Sequence, residues 1–360
     1  MLQLLQMDID FEKVLKEKRE LVWQEIQKYL KPPQFPGKIA IPTQYQKEMD
    51  FHWQMVCDYP QRQGKYLRPT LVLLTAEAMG VAEKKAIKTA AAMQTSEEWI
   101  LIHDDWEDDS LQRRGKPALH RLYSKELANN AGDALHVIMW KMLWDNRQVL
   151  GERKAAEIAG EFYQMLTRTV FGQTVEIKWT QGNRQDLSDE DIFLILDGKT
   201  SYYTIAGPMR LGAIIGGATS PQLEAIWEFG QYLGRCFQIV DDLLDLTSDF
   251  QGLKKQTGND IYEGKRTIML AHLLRTIRVR DRVRVREILE KGREEKTVNE
   301  VKWVIEKMKE LGSLDYGRRI AEDLATKALE IFEEKLKFLS CQPARRQLKS
   351  GIDFILERQY

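Results

Sequence analysis

Two short acidic runs hold the side chains most able to do chemistry. The first, LIHDDWEDDSLQRRGKP over residues 101–117, carries Asp104, Asp105 and Asp108. The second, FQIVDDLLDLTSDF over residues 237–250, repeats the spacing with Asp241, Asp242 and Asp245. Positions i and i+4 of a helix lie one turn apart on one face, so Asp104 and Asp108 can aim two carboxylates at one point. Apolar residues lead into both clusters, which puts the acids at the end of a buried segment. Like charges there repel and cost stability unless cations neutralise them. Hard oxygen ligands in this number suit Mg²⁺, which takes one or two carboxylates and keeps its other positions for water and phosphate.

Basic residues follow each cluster. Arg113, Arg114 and Lys116 come after the first, and Lys254, Lys255, Lys265 and Arg266 after the second. Lys65 and Arg68 lie upstream in GKYLRP, and Lys199-Thr200 lies in mid-chain. Acid clusters with separated cations describe a site for metal-bridged phosphates. No glycine-rich phosphate loop of the nucleotide type is present, which favours a simple diphosphate over ATP.

Helices must position these groups. Apolar residues recur at threes and fours over 11–30, 67–79, 84–109, 130–150, 153–180, 189–215, 221–246, 266–289, 298–311 and 314–339. No segment shows sustained period-2 alternation with hairpin turns. The expectation is an all-α bundle in one domain over residues 1–360. The first helix and the proline-rich stretch KPPQFPGKIAIP form an extension over about residues 1–47. Ser188 before Asp189, Glu190 and Asp191 is a good helix start.

Composition removes several function classes. The 360 residues include 54 Lys plus Arg and 54 Asp plus Glu, so the chain lacks the cationic field of a general nucleic-acid binder. Hydrophobic residues make up 43%, enough for a sizeable core. The three cysteines are too few and too scattered for a disulfide framework or zinc site, and suggest a cytoplasmic protein. No run of 18 apolar residues occurs, so no membrane anchor is expected.

The motifs GKYLRP, LIHDDWEDDSLQRRGKP, NAGDAL, GKTSYY, FQIVDDLLD and TGNDIYEGKRT, in that order, resemble those of the trans-prenyltransferases, or polyprenyl diphosphate synthases. The resemblance implies an isoprenoid-synthase helical bundle with a central cavity. It also implies head-to-tail condensation of isopentenyl diphosphate with allylic diphosphates, and a homodimer. Carried over by residue, Asp104 and Asp108 bind two Mg²⁺ ions, and Asp241, assisted by Asp242 and Asp245, binds a third. Arg113, Lys199, Lys255 and Lys265 hold the allylic diphosphate, while Lys65, Arg68 and Arg114 hold that of isopentenyl diphosphate. Thr200 and Gln238 present oxygen dipoles to the allylic cation. The chain departs from the family at Glu97, where His or Gln usually helps bind isopentenyl diphosphate; Glu97 is expected to salt-bridge Lys65 or Arg68. Glu176 replaces an Asp with its charge kept.

Trp99 and Ile100, five and four residues before Asp104, are expected to form the floor that limits chain growth. Trp99 would lie roughly 7–8 Å below the acids. A single aromatic there resembles the archaeal-type geranylgeranyl synthases and points to a C20 product, with farnesyl diphosphate (C15) as the alternative. A non-catalytic partner subunit is a further alternative, supported by Glu97 alone. His103, Asp109, Asn130, Asp133, Tyr202 and Tyr203 are read as structural rather than catalytic, with a helix start at Asn130.

Overall fold

Capping side chains open several of the expected helices in a computed structural model that describes residues 9–247 and 257–356. Asp10 accepts from the backbone N–H of Lys13 and begins α1 (Phe11–Gln27). There follow α2 (Gln46–Arg62), α3 (Leu67–Ala78) and α4 (Ile87–Glu107). A small ribbon pairs β1 (Gln112–Arg113) with β2 (Lys116–Pro117). Its turn residues, Arg114 and Gly115, both have positive φ (51° and 74°), which lets a two-residue hairpin close.

The chain continues through α5 (Leu119–Leu122), α6 (Lys125–Asp145), α7 (Arg147–Leu150) and the long α8 (Glu152–Gln181). Ser188 caps α9 (Asp189–Leu196) with a reciprocal capping box to Asp191. A π-helical segment, Asp197–Ala206, then leads without a break into α10 (Gly207–Gly216). The remainder is α11 (Ser220–Thr247), α12 (Asn259–Glu263), α13 (Ile268–Thr276), α14 (Val279–Glu290), α15 (Val298–Glu310), α16 (Ser313–Lys335) and α17 (Ala344–Leu356). The architecture is all-α, as expected, apart from the short ribbon.

Several boundaries differ from the apolar spacing. The helix expected from Asn130 begins at Lys125, because Ser124 accepts from the N–H of Leu127. Asn130 is an exposed residue inside α6 rather than its start. The span 266–289 divides into α13 and α14 because Ile277 and Arg278 are extended (ψ 146° and 147°). The spacing missed α2 and α17. Only Met55, Val56, Tyr59 and Pro60 of α2 are buried, too few to mark a stripe in a charged segment.

Two apolar clusters form the core. One gathers α11, α13, α15 and α16; the other gathers α2, α4, α6 and α8. Helix α3 and the π segment with α10 supply side chains to both. Helix α1 is packed in as well, burying Phe11, Val14 and Leu15. Among the described residues no helix is long and apolar enough to cross a membrane.

Helix α11 runs unusually close to the π segment. A Cβ on Gly230 would stand 2.6 Å from the Cα of Ala206, and one on Gly234 would overlap the Cα of Ser201. On α8, a Cβ on Gly172 would stand 2.7 Å from the backbone nitrogen of Lys199. These glycines let two helices clamp the segment that carries Lys199 and Thr200. Gly234→Ala should therefore overpack this contact and lower stability by about 1–3 kcal/mol in a denaturant titration. A midpoint equal to that of the unaltered protein would show that the contact tolerates the methyl group.

Candidate active site

The first acidic cluster ends α4. Asp104 lies in the last turn, and the N–H of Asp108 donates to the Asp104 carbonyl at 2.8 Å just as the helix stops. Lys199, on the π segment, reaches Asp104 at 3.1 Å and Glu176 of α8 at 2.6 Å. Gln173, one helical turn before Glu176, donates to Asp104 at 3.3 Å and to Glu107 at 2.8 Å.

The second cluster lies on α11. Gln238 donates to Asp242 at 2.8 Å, while its amide oxygen accepts from the Thr200 hydroxyl at 3.0 Å. Asp245 accepts from the backbone N–H of Asp260 at 3.0 Å. Left-handed Gly264 (φ 74°) then ends α12 and turns the chain, so that the N–H of Lys265 meets the Asp260 carbonyl at 2.8 Å. From there the Lys265 amine reaches Asp108 at 2.9 Å and Glu263 at 2.7 Å. Lys265 sits within the electrostatic reach of Asp104, Asp108, Asp242 and Asp260, so the two clusters share one hollow. A cleft of about 360 Å³ opens beside it, lined in part by Asp108, Glu176, Glu263, Lys265 and Arg293.

The acids here respond to burial in different ways. Burial works to raise Asp104, but Lys199, Lys265 and Arg113 outweigh it and hold the carboxyl below its ordinary value. Asp108 is pushed up to about 7 by burial and by the Asp104 charge, against the pull of Lys265. Asp242 rises to about 8 through burial and the charge of Asp241, despite its bond from Gln238. Asp260 is raised well above the carboxylate range by burial and by Asp245 and Asp242. Burial alone would lower Lys199 and Lys265, yet the carboxylates around each raise it and keep it charged. The hollow thus holds more buried carboxyl groups than its two lysines can keep ionised. That surplus, on hard oxygen donors alone, fits a divalent cation of the Mg²⁺ type. Among the described residues no three carboxylates already converge at ligand distance.

The polyprenyl synthetase family matches residues 52–308. The chain belongs to this family. It is accordingly a prenyltransferase. A short chain isoprenyl diphosphate synthase of Methanothermobacter thermautotrophicus is 34% identical over 82% of this chain and 87% of its own length. A geranylfarnesyl diphosphate synthase of Natronomonas pharaonis is 29% identical over 97% and 98% of the two chains. The solved structure of a geranylgeranyl pyrophosphate synthetase from Pyrococcus horikoshii superposes with a TM-score of 0.82 at 27% identity, covering 98% of this chain and all of the other.

Within this polyprenyl synthetase, Asp104, Asp108, Lys199, Thr200, Gln238, Asp242, Asp245 and Lys265 come together around the hollow. Asp241 is half-buried and adds its charge beside Asp242. Asp105 does not join them. It is fully buried, accepts from the Tyr59 hydroxyl at 2.6 Å and pairs with Arg113. One residue along a helix turns the side chain by about 100°, and that rotation carries Asp105 away from the face of Asp104. The assignment of Asp105 to catalysis is corrected accordingly. Arg113 is committed to Asp105 and stands 3.9 Å from Asp104. Arg114 is likewise committed, bonding Glu98 at 2.8 Å. Glu97 pairs with Arg68 at 3.1 Å, one of the two partners expected from the sequence. Lys65 is exposed just before α3, and Lys254 and Lys255 lie outside the described residues.

Asp109 pairs with Arg121 at 2.9 Å, and His103 stands 3.7 Å from Asp133. The buried hydroxyls of Tyr202 and Tyr203 bond Glu161 and Ser96. Trp99 is buried with its ring against His103 and His136, on the flank of α4 that faces α6. Ile100 shares the face of Asp104. Sequence reasoning missed Gln173 and Glu263. Gln173 carried a usable signal, because it stands three residues from Glu176 in GQTVEI, on one helical face.

Stability should report the surplus charge. The raised Asp108 and Asp242 bind protons more tightly in the folded state than the ordinary carboxyl value of about 4 in the unfolded chain. Their contribution is full below that value and is lost as pH rises through about 7 and 8. Metal-free protein should therefore lose stability from about pH 5 to 8 in denaturant titrations, and Asp242→Asn should flatten the loss. Identical slopes in the two proteins would contradict the charge assignment.

Proposed function

We propose that this polyprenyl synthetase condenses isopentenyl diphosphate with allylic diphosphates in a Mg²⁺-dependent reaction and releases geranylgeranyl diphosphate (C20). The observation that carries the reading is the meeting of two acidic clusters, from α4 and α11, around Lys199 and Lys265. Asp104 and Asp108 would hold two ions and Asp241, with Asp242 and Asp245, a third. The bound ions supply electrostatic neutralisation of the diphosphate leaving group.

The protein's own groups do the rest. Lys199 and Lys265 stay charged and offer donors to the allylic diphosphate, with the field of Arg113 behind them and Lys255 proposed as a further donor. Lys65, Arg68 and Arg114 receive the diphosphate of isopentenyl diphosphate. The allylic C–O bond breaks with its electron pair going to the diphosphate. Thr200 donates its hydroxyl hydrogen bond to Gln238, which leaves hydroxyl lone pairs to face the allylic cation, and Asp242 fixes the Gln238 amide. The double bond of isopentenyl diphosphate then forms the new C–C bond. The released diphosphate takes the proton that restores a double bond, so no protein base is required.

The proposed working form is a single-domain chain in a homodimer in the cytoplasm. Both core clusters draw on α3 and α10, which supports one unit. The apolar residues Val137, Trp144, Tyr163 and Phe171 on α6 and α8 are more than half exposed, which supports a second copy as their cover. Phe171→Glu should shift the sedimenting species from dimer to monomer; a monomeric unaltered protein would remove this part of the proposal.

Product length is proposed to depend on Trp99 and Ile100. Trp99→Ala should extend the products beyond C20 when prenyl alcohols from labelled isopentenyl diphosphate are separated by chromatography, and adding Ile100→Ala should extend them further. Unchanged lengths in both variants would discard the floor. The same assay tests the activity itself, since incorporation should vanish with a chelator and return with Mg²⁺.

A further inference from the structure

Two arginines and two glutamates pack together below the acid site, and the two glutamates are not equivalent. Glu98 is 1% exposed and fully engaged. It accepts from Arg114 at 2.8 and 3.2 Å and from Gln94 at 2.7 Å. This is a fixed structural counter-ion. Glu97, the next residue, is only half-buried. Its Oε1 is shared between Arg68 at 3.1 Å and Arg114 at 3.9 Å. Its Oε2 is buried without a hydrogen-bond partner, and so is the Nε of Arg68. The pair therefore falls short of a bidentate bridge, in which both oxygens and two N–H groups would be matched.

Arg68 does not depend on Glu97 for its position. Its Nη2 donates to Thr204 at 2.8 Å, and its guanidinium lies 4.8 Å from the centre of the Tyr203 ring. Both supports come from the π segment. With Glu97 withdrawn, Arg68 would remain as a braced cation with an unsatisfied edge, suited to a phosphate-type oxyanion.

We propose that Glu97 is a built-in counter-anion that occupies Arg68, and Arg114 more weakly, until the diphosphate of isopentenyl diphosphate displaces it. The inference rests on the proposed function, in which these arginines receive that diphosphate. Glu97 then acts as a positioning residue that sets affinity for the second substrate. It makes no contact with the acids that serve the first. Competition from an internal carboxylate weakens the binding of isopentenyl diphosphate and leaves the allylic site unchanged.

The test uses the full chain and two charge-removing variants, Glu97→Gln and Glu97→His. Isopentenyl diphosphate is titrated calorimetrically into each protein, and steady-state constants are measured for both substrates. Either variant that folds should bind isopentenyl diphosphate about tenfold more tightly, with KM falling in parallel. Both kcat and the allylic KM should stay within about twofold, a split that a merely structural role would not produce. Unchanged or weaker binding in the variants overturns the inference, even where the unaltered protein turns over and the proposed function stands. Tighter binding with no turnover in any of the proteins upholds the counter-anion and rejects the condensation. No binding to any of the proteins overturns both.

Discussion

Concentrating carboxylates in a hollow walled by helices is the constraint on which the rest of this structure depends. Each buried acid loses hydration and feels its neighbours, and the upward shifts of Asp108, Asp242 and Asp260 record that cost. Two lysines from different parts of the chain offset part of it. Lys199 fixes α4 to α8 through Asp104 and Glu176, and Lys265 fixes the end of α4 to α12 through Asp108 and Glu263. The same amines suit a diphosphate, so the ion pairs that hold the walls together also leave cationic donors where an anionic substrate is proposed to sit. Stability and readiness for charge are supplied by one set of groups.

Around this hollow the arginines are mostly spoken for. Arg113 belongs to Asp105, and Arg114 belongs to Glu98 and the Tyr59 carbonyl. Both come from the tight ribbon turn after the first acidic motif, so the ribbon is anchored to the base of α4 by buried charge. Arg68 is the looser of the three, braced by Thr204 and Tyr203 and shared with a half-buried acid. Differences in how completely each cation is satisfied grade how readily each can turn to a ligand.

Much of this was legible in the residue order. The doubled aspartate spacing, the basic residues that follow and the helical apolar stripes marked the fold class and most of the residues that meet around the hollow, because period and charge are local properties. Asp105 was grouped with Asp104 and Asp108 although one residue of helical rotation turns it from their face; its burial depends on Tyr59, 46 residues away. Glu97 was singled out by type, but its choice of Arg68 over Lys65 is a matter of tertiary reach. The π segment had no signal in apolar spacing, since its residues are buried on nearly every side and no stripe marks the change of pitch. Helix α2 escaped notice for the opposite reason, being too weakly apolar to declare a face.

That π segment has a mechanical consequence. One end of it carries Lys199 and Thr200 against the acidic clusters, and the other carries Tyr203 and Thr204 behind Arg68. Glycines on α8 and α11 let both neighbours press directly on its backbone, leaving little room to bend between the two ends. One clamped segment thus carries both Lys199 beside the acids and the supports of Arg68, so an axial displacement of its backbone would move the groups at both ends together.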